Sequence, residues 1–313
     1  MKVTLLAGGT GGSKLAHGFQ MALPPGDLTV IANVADDTER FGLLVCPDLD
    51  TILYTLAGLA DREQGWGVAG DTFTALGQLA RYGEDAWFRV GDADLATHVR
   101  RDHLLRDGAS LTDATAAMST ALGVTSHLVP ATDQRLRTLL QTDAGELDFQ
   151  AYFVQRGQRD AVRAVRFEGA DAARPSPAAA AALSTAGLVV IGPSNPIVSI
   201  GPILAVPGMR EALLASPGRR IGVSGIVAGR ALRGPADRML TSLGHESSAL
   251  GVARLYSGLV QRFVIDESDA ALQPAIEALG MAVSVLPTVM RTDDDRAGLA
   301  RALLGLGEAM LSG

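Results

Sequence analysis

A single cysteine, Cys46, in a chain of 313 residues excludes an internal disulfide and a thiolate metal cage. Positive charge is also scarce: 27 Lys and Arg stand against 34 Asp and Glu, a formal net charge of -7. Such a chain lacks the broad basic surface that wraps a nucleic-acid backbone, although local sites for small anions remain open to it. Long apolar runs are missing too. No window reaches about 18 uninterrupted apolar residues, and the opening MKVTLLAGGTGG is too short for a signal-peptide core, so no membrane span is expected. Together these absences predict a soluble, cytoplasmic protein in a reducing compartment. What the sequence does have is apolar bulk, 47% hydrophobic against 19% charged, together with 36 glycines and only 4% aromatics. That composition supplies a large core and many tight turns, and the length allows one large α/β domain or two modest ones.

Lys2–Ala7 is nearly all apolar, as expected of a strand buried on both faces, and it runs into Gly8-Gly9-Thr10-Gly11-Gly12-Ser13-Lys14. A helical pattern follows from about Leu15 to Met21, then a second apolar strand at Leu28–Asn33. Strand, glycine turn, helix and strand in this order make a βαβ unit with parallel pairing and a right-handed crossover. Between about residues 50 and 122 the pattern is helical, with segments near 51–59, 71–81, 94–105 and 111–122. Residues 138–142 and 147–155 read as a hairpin around Asp143-Ala144-Gly145-Glu146, carrying Phe149, Tyr152 and Phe153. The βα alternation then returns, with strands predicted at 187–191, 220–224, 262–266 and 281–286. The helices between and after them are predicted near 176–185, 203–214, 235–243, 248–259, 272–279 and 294–311. The fold class that follows is α/β: a doubly wound (Rossmann-like), mostly parallel sheet. We read one α/β domain formed by residues 1–49 and about 123–313, with a mainly helical insertion at about 50–122. Ligands of such sheets bind outside the carboxyl ends of the strands.

Several residue sets fall at those ends. The glycine turn offers backbone N–H groups and a helix N-terminus to an anion, with Gly9, Thr10, Gly11, Gly12 and Lys14 as candidate contacts. Its spacing matches neither a phosphate loop nor a dinucleotide fingerprint, and a plain β–α connection is the alternative. Asn33-Val34-Ala35-Asp36-Asp37 follows strand two, and Pro47-Asp48-Leu49-Asp50-Thr51 comes soon after. Carboxylates so grouped can hold a hard cation such as Mg²⁺, while helix capping is the competing role for any one of them. Trp87-Phe88-Arg89 offers an aromatic pair for a planar heterocycle and a cation for a polar edge. The structural alternative there is a helix N-cap at Asp92 or Asp94 with His98 on the helix surface. Residues 191–203 (IGPSNPIVSIGPI) stiffen a strand-end loop with three prolines while presenting Ser194, Asn195 and Ser199. Arg230 and Arg233 follow a further strand, and either phosphate neutralisation or solvated surface charge fits them.

These segments, in this order, resemble the 2-phospho-L-lactate transferase family (CofD/FbiA type) of coenzyme F-420 biosynthesis. The resemblance rests on GGTGGSK at 8–14, NVADD at 33–37, CPDLDTILYTLAG at 46–58, GWGVAGDTF at 65–73 and WFRVGDADLATH at 87–98. It continues through DGASLTDAT at 107–115, FQAYFV at 149–154, GPSNPIVSIGPILAVPG at 192–208, GPADRM at 234–239 and FVIDESD at 263–269. It implies transfer of a 2-phospholactyl or enolpyruvyl phosphate group from a guanosine diphosphate ester to the terminal ribityl hydroxyl of 7,8-didemethyl-8-hydroxy-5-deazariboflavin. GMP leaves, and Mg²⁺ is required. By position it implies that Asp50 and Arg89, with Trp87 and Phe88 beside them, contact the deazaflavin. The glycine turn and the Ser194–Ser199 loop hold the guanosine diphosphate, and Asp50 serves as the catalytic residue near the metal with Asp36 or Asp37. The resemblance also implies a homodimer. Two other readings compete: a nucleotide-sugar-binding regulator of the gluconeogenesis-factor type, which has no need of Asp50, Arg89 or the aromatic pair, and an NAD-dependent oxidoreductase, which the irregular glycine spacing disfavours.

Overall fold

The structure, a computed structural model, describes residues 1–312. Its centre is a sheet of seven strands: β1 (Val3–Ala7), β2 (Leu28–Ala32), β3 (His127–Pro130), β4 (Leu188–Ile191), β5 (Arg219–Val223), β6 (Arg262–Asp266) and β7 (Ala282–Leu286). They lie in the order β7-β6-β5-β4-β1-β2-β3, with every neighbouring pair parallel. The order runs outward in both directions from β1 and β4, so the chain reverses its winding between those two strands. This is the switch point at which doubly wound sheets open a crevice. Leu6 pairs with Ile191 on one side and Ile31 on the other, so the turns after β1 and β4 leave the sheet side by side.

Burial explains why these segments became strands. Leu5 and Leu6 of β1 and all four residues of β4 are at most 1% exposed, and so continuous apolar runs replace alternation. Each such side chain contributes about 1.5–3 kcal/mol relative to exposure. Helix α1 (Gly9–Ala22) packs between α2 (Pro47–Leu56) and the C-terminal helix Asp293–Ser312. Beyond α2 come α3 (Thr74–Arg81), α4 (Asp92–Arg106) and α5 (Leu111–Ala121), which lead the chain to β3.

The structure corrects several local expectations. Residues 38–45 form a small antiparallel hairpin, Thr38–Arg40 with Leu43–Val45. The edge strand β3 is four residues long, too short for a period to register. The strand expected over 147–155 ends at Asp148, because the Asp148 carboxylate accepts from Ala151 N–H (2.9 Å) and starts the turn Ala151–Gln155. A third strand, Val162–Glu168, completes that sheet. The helix expected over 203–214 divides into Gly201–Ala205 and Met209–Ala215 around Pro207-Gly208, with Gly208 at φ +90°. Among the described residues no single helix is long and apolar enough to cross a membrane.

Candidate active site

α1 begins at Gly9 itself, so the glycine-rich segment is already helical. Glycine is a poor helix former, and what holds this first turn is tertiary. Gly8 N–H donates to Ser194 Oγ at 3.1 Å, across the switch point, and Gly9 N–H donates to Asp48 Oδ1 at 2.8 Å. Two close approaches require glycine here. A Cβ on Gly8 would lie 2.3 Å from Asp48 Oδ2, and one on Gly11 would lie 2.2 Å from the carbonyl oxygen of Pro193.

Asp48 and Asp50 occupy the first turn of α2. Asp48 also accepts from Asn33 Nδ2 at 2.9 Å, and burial pushes its carboxyl up to about 6. Asp36 is buried beside it and is raised as well, first by burial and then by the charge of Asp48. Its Oδ1 has no hydrogen-bond partner. Asp50 is tied differently. Its Oδ1 receives Nη2 of Arg101, and its Oδ2 accepts from Cys46 N–H at 3.2 Å and faces His98 Nδ1 at 3.6 Å. Arg101 and His98 are each 1% exposed, so α4 inserts a cation and an imidazole beneath α2. His98 Nε2 in turn faces Asp94 Oδ1 at 3.3 Å, and that same oxygen accepts from Tyr54 Oη at 2.7 Å.

A cavity of about 560 Å³ opens above these groups. Its floor is the glycine turn from Gly8 to Gly11, with Ser194, Asn195 and Ser199 beside it. Asp36, Asp48 and Asp50 line one flank. Aromatic rings form the walls: Trp87 and Phe88 stand edge to face at 5.8 Å, and Phe149 and Phe153 stack at 5.3 Å. Arg40 lies 4.1 Å over the Trp87 ring, and Arg89 lies 4.3 Å over Phe73 at the exposed rim. Arg233 donates to the Glu63 carbonyl at 2.5 Å and to that of Gln64, pinning the 58–67 loop over the mouth.

The structure therefore brings together most of the residues singled out from the sequence. It places Gly9, Thr10, Gly11, Asp36, Asp50, Trp87, Phe88, Arg89, Ser194, Asn195 and Ser199 around one cavity. Gly12, Lys14 and Asp37 lie off it. Gly12 packs against Ala7 and Ser194, Lys14 Nζ donates to the Met290 carbonyl at 3.0 Å, and the half-buried Asp37 lies towards Cys46. Asn195 spends its Oδ1 on the N–H groups of Ile197 and Val198, capping the turn 196–200.

Two expectations near α4 are corrected. His98 is buried under the carboxylates rather than lying on the helix surface. Neither Asp92 nor Asp94 caps α4: Asp71 accepts from Ala93 and Asp94 N–H, while Asp92 accepts from Thr74 and Ala75 N–H at the start of α3. Arg101 carries no sign of its burial in the sequence, because it stands on a helix otherwise rich in exposed charge. Phe149 and Phe153, expected as hairpin residues, instead stack on each other in the cavity wall. Their common 3.6-type spacing was the available signal.

Mg²⁺ retains several waters and takes one or two carboxylates plus substrate phosphates, so two acids suffice for it. Among the described residues no group of three or more His, Cys, Asp and Glu converges on one ion position. The pair Asp36 and Asp48 fits the two-acid demand: both are buried, both line the cavity, and Asp36 Oδ1 is unpartnered.

Fold and cavity define an α/β protein with a cavity at the switch point of its doubly wound sheet, the place where such sheets bind ligands. The family model for "2-phospho-L-lactate transferase CofD" matches residues 3–285, and the chain belongs to this transferase family. It is 41% identical to a phosphoenolpyruvate transferase of Streptomyces griseus, over 98% of this chain and 99% of that one. It is 38% identical to a 2-phospho-L-lactate transferase of Methanosarcina mazei, over 96% and 98% respectively. The crystal structure of a UPF0052-family protein from Bacillus halodurans superposes with a TM-score of 0.63 and 18% identity, covering 97% of this chain and 99% of that one, a likeness of fold.

Proposed function

We propose that the protein transfers a phosphorylated three-carbon acid, lactyl or enolpyruvyl, from its guanosine diphosphate ester to the ribityl hydroxyl of a deazaflavin in coenzyme F-420 biosynthesis. The observation that carries this reading is one cavity holding an amide-lined helix start, a buried carboxylate pair and two aromatic walls. Pyrophosphate sits over Thr10 and Gly11, the first-turn residues whose N–H groups are not taken by Ser194 or Asp48, where the helix dipole favours negative charge. The flat tricyclic ring lies between the aromatic walls, with Arg89 at its edge.

In the transfer, the acceptor hydroxyl oxygen bonds to the phosphorus that carries the three-carbon acid. The bond from that phosphorus to the bridging oxygen breaks, GMP departs with the electron pair, and the hydroxyl proton passes to a carboxylate. Asp50 is that carboxylate: Arg101 and Cys46 N–H fix its orientation, so the hydroxyl meets an acceptor that does not have to be organised during the reaction. Asp36 and Asp48 would hold Mg²⁺, which when bound offsets charge on the phosphates. The second acid of CPDLD thereby acts on the acceptor while the first serves the cation.

The test is direct. Purified protein with Mg²⁺, the deazaflavin alcohol and either ester is expected to release GMP stoichiometrically with phosphodiester product. Absence of GMP from both esters, with tight binding of a UDP-sugar, would overturn the reading in favour of a nucleotide-sugar regulator.

A further inference from the structure

Beside the large cavity lies a second, smaller one of about 30 Å³, between α1, α2 and the 58–67 loop. It shares Thr10, Thr51, Gly65, Trp66 and Gly67 with the large cavity, so the two adjoin across these residues. At about 10–15 Å³ per water it holds two or three waters, the size of a carboxylate and too small for a ring.

Its free hydrogen-bonding capacity is cationic. Thr10, Ser13 and Thr55 each spend their hydroxyl proton on a backbone carbonyl. Lys14 makes one bond, to the Met290 carbonyl, and two of its three protons remain. Burial lowers its pKa, and Arg296 and Arg233 lower it further, with no carboxylate acting in the opposite sense. Arg296 is 5% exposed; its Nη1 meets His17 Nδ1 and Asp293 Oδ1, both at 3.2 Å, but its Nε has no acceptor. The nearby acids are already committed. Asp293 is shared by Arg62, Arg296 and His17, and Asp61 accepts from Glu63 N–H and from Gln64. A half-buried lysine with no carboxylate partner, and a buried arginine whose Nε is unused although Asp293 pairs with its Nη1, thus face a carboxylate-sized space.

We propose that this pocket receives the carboxylate of the donor's three-carbon acid, with Lys14 as the residue that recognises it. The inference rests on the transferase reading above and adds the specificity determinant. Lys14 lies one helical turn, about 6 Å, along α1 from Thr10. An ester whose phosphorus sits over Thr10 carries its carboxylate about 4–5 Å further on, and the flexible Lys14 side chain spans the remainder. Lactyl and enolpyruvyl donors share this carboxylate and differ only at the third carbon, so Lys14 selects for the acid and leaves the choice between them to other contacts.

The experiment compares GMP release from the carboxylate donor and from its carboxamide analogue, in the wild type, Lys14→Met and Lys14→Arg. The wild type is expected to prefer the carboxylate in kcat/KM by about tenfold or more, the range for a hydrogen bond to a charged group. Lys14→Met should lose that preference while retaining turnover of the carboxamide, which also reports that it is folded; Lys14→Arg should keep most of it. Retention of the preference in Lys14→Met, or an equal loss on both donors, overturns the proposal. A wild type that releases no GMP from the carboxylate donor sinks the transferase reading itself, and this assignment with it.

Discussion

Replacing Gly11 with alanine sets two opposed effects against each other. Gly11 is inside α1 and not at positive φ, so alanine gains helix propensity of about 0.5–1 kcal/mol. Its Cβ, however, would sit 2.2 Å from the Pro193 carbonyl oxygen, where ordinary contact begins at 3.4 Å. The partner is backbone in a loop stiffened by Pro193 and Pro196 and tied to α1 through Ser194, so no side chain can swing away. α1 and the β4 turn must part by about 1.2 Å. Overpacking of this kind costs about 1–3 kcal/mol, which exceeds the propensity gain. The net destabilisation of about 1–2 kcal/mol lowers Tm by about 2–3 °C in a chain of 313 residues. Turnover should suffer more, by about a hundredfold, because a displacement of about 1 Å misaligns the phosphate cradle with the carboxylates. Scanning calorimetry and GMP release measure the two effects. Gly298→Ala, on the exposed face of the C-terminal helix with nothing within 4 Å of its Cβ, is the control and should stabilise. A Gly11→Ala protein as stable as Gly298→Ala with unimpaired turnover would refute the claim that the switch point is a tight, load-sharing junction.

Other outcomes follow from the same contacts. Asp50→Asn should reduce turnover by about a hundredfold or more and also lower Tm, since Arg101 loses its carboxylate; undiminished turnover would remove Asp50 from the chemistry. Arg101→Met should cost about 3–5 kcal/mol by stranding the Asp50 charge, and denaturant titration of the double variant Asp50→Asn/Arg101→Met should recover part of that loss. Asp48 is more basic folded than unfolded, so the native state holds the extra proton and stability falls as pH rises from about 4 to about 6. If Asp36 and Asp48 hold the cation, Mg²⁺ at pH 7.5 should raise Tm and Asp36→Asn should abolish that rise; a Tm indifferent to Mg²⁺ in the wild type argues against the assignment.

Much of the frame was legible because buried parallel strands write themselves as apolar runs: six of the seven strands of the sheet, and the turns after β1 and β4, stand where the sequence puts them. β3 escaped because HLVP at an edge carries neither length nor alternation. At Lys14 a turn and a helix give different geometry. Read as a turn, GGTGGSK points all its residues at one anion. As the first turns of α1, it sends Gly11 toward Pro193 and carries Thr10 and Lys14, four residues apart, down a different face. Nothing local favours a helix there; Ser194 and Asp48 impose it from afar. The burial of Arg101 and His98 was equally invisible, because α4 alternates charge without an apolar stripe and is held by the ion pair beneath it.

The exchange of caps between Asp71 and Asp92 makes two helices answerable to each other. Because each aspartate satisfies amides that begin the other's helix, neither end can fray alone, and losing either acid unfastens both. Hydrogen exchange at the Thr74–Ala75 and Ala93–Asp94 amides should therefore quicken together, so that the region carrying Trp87 and Arg89 opens as one cooperative unit rather than by independent unravelling.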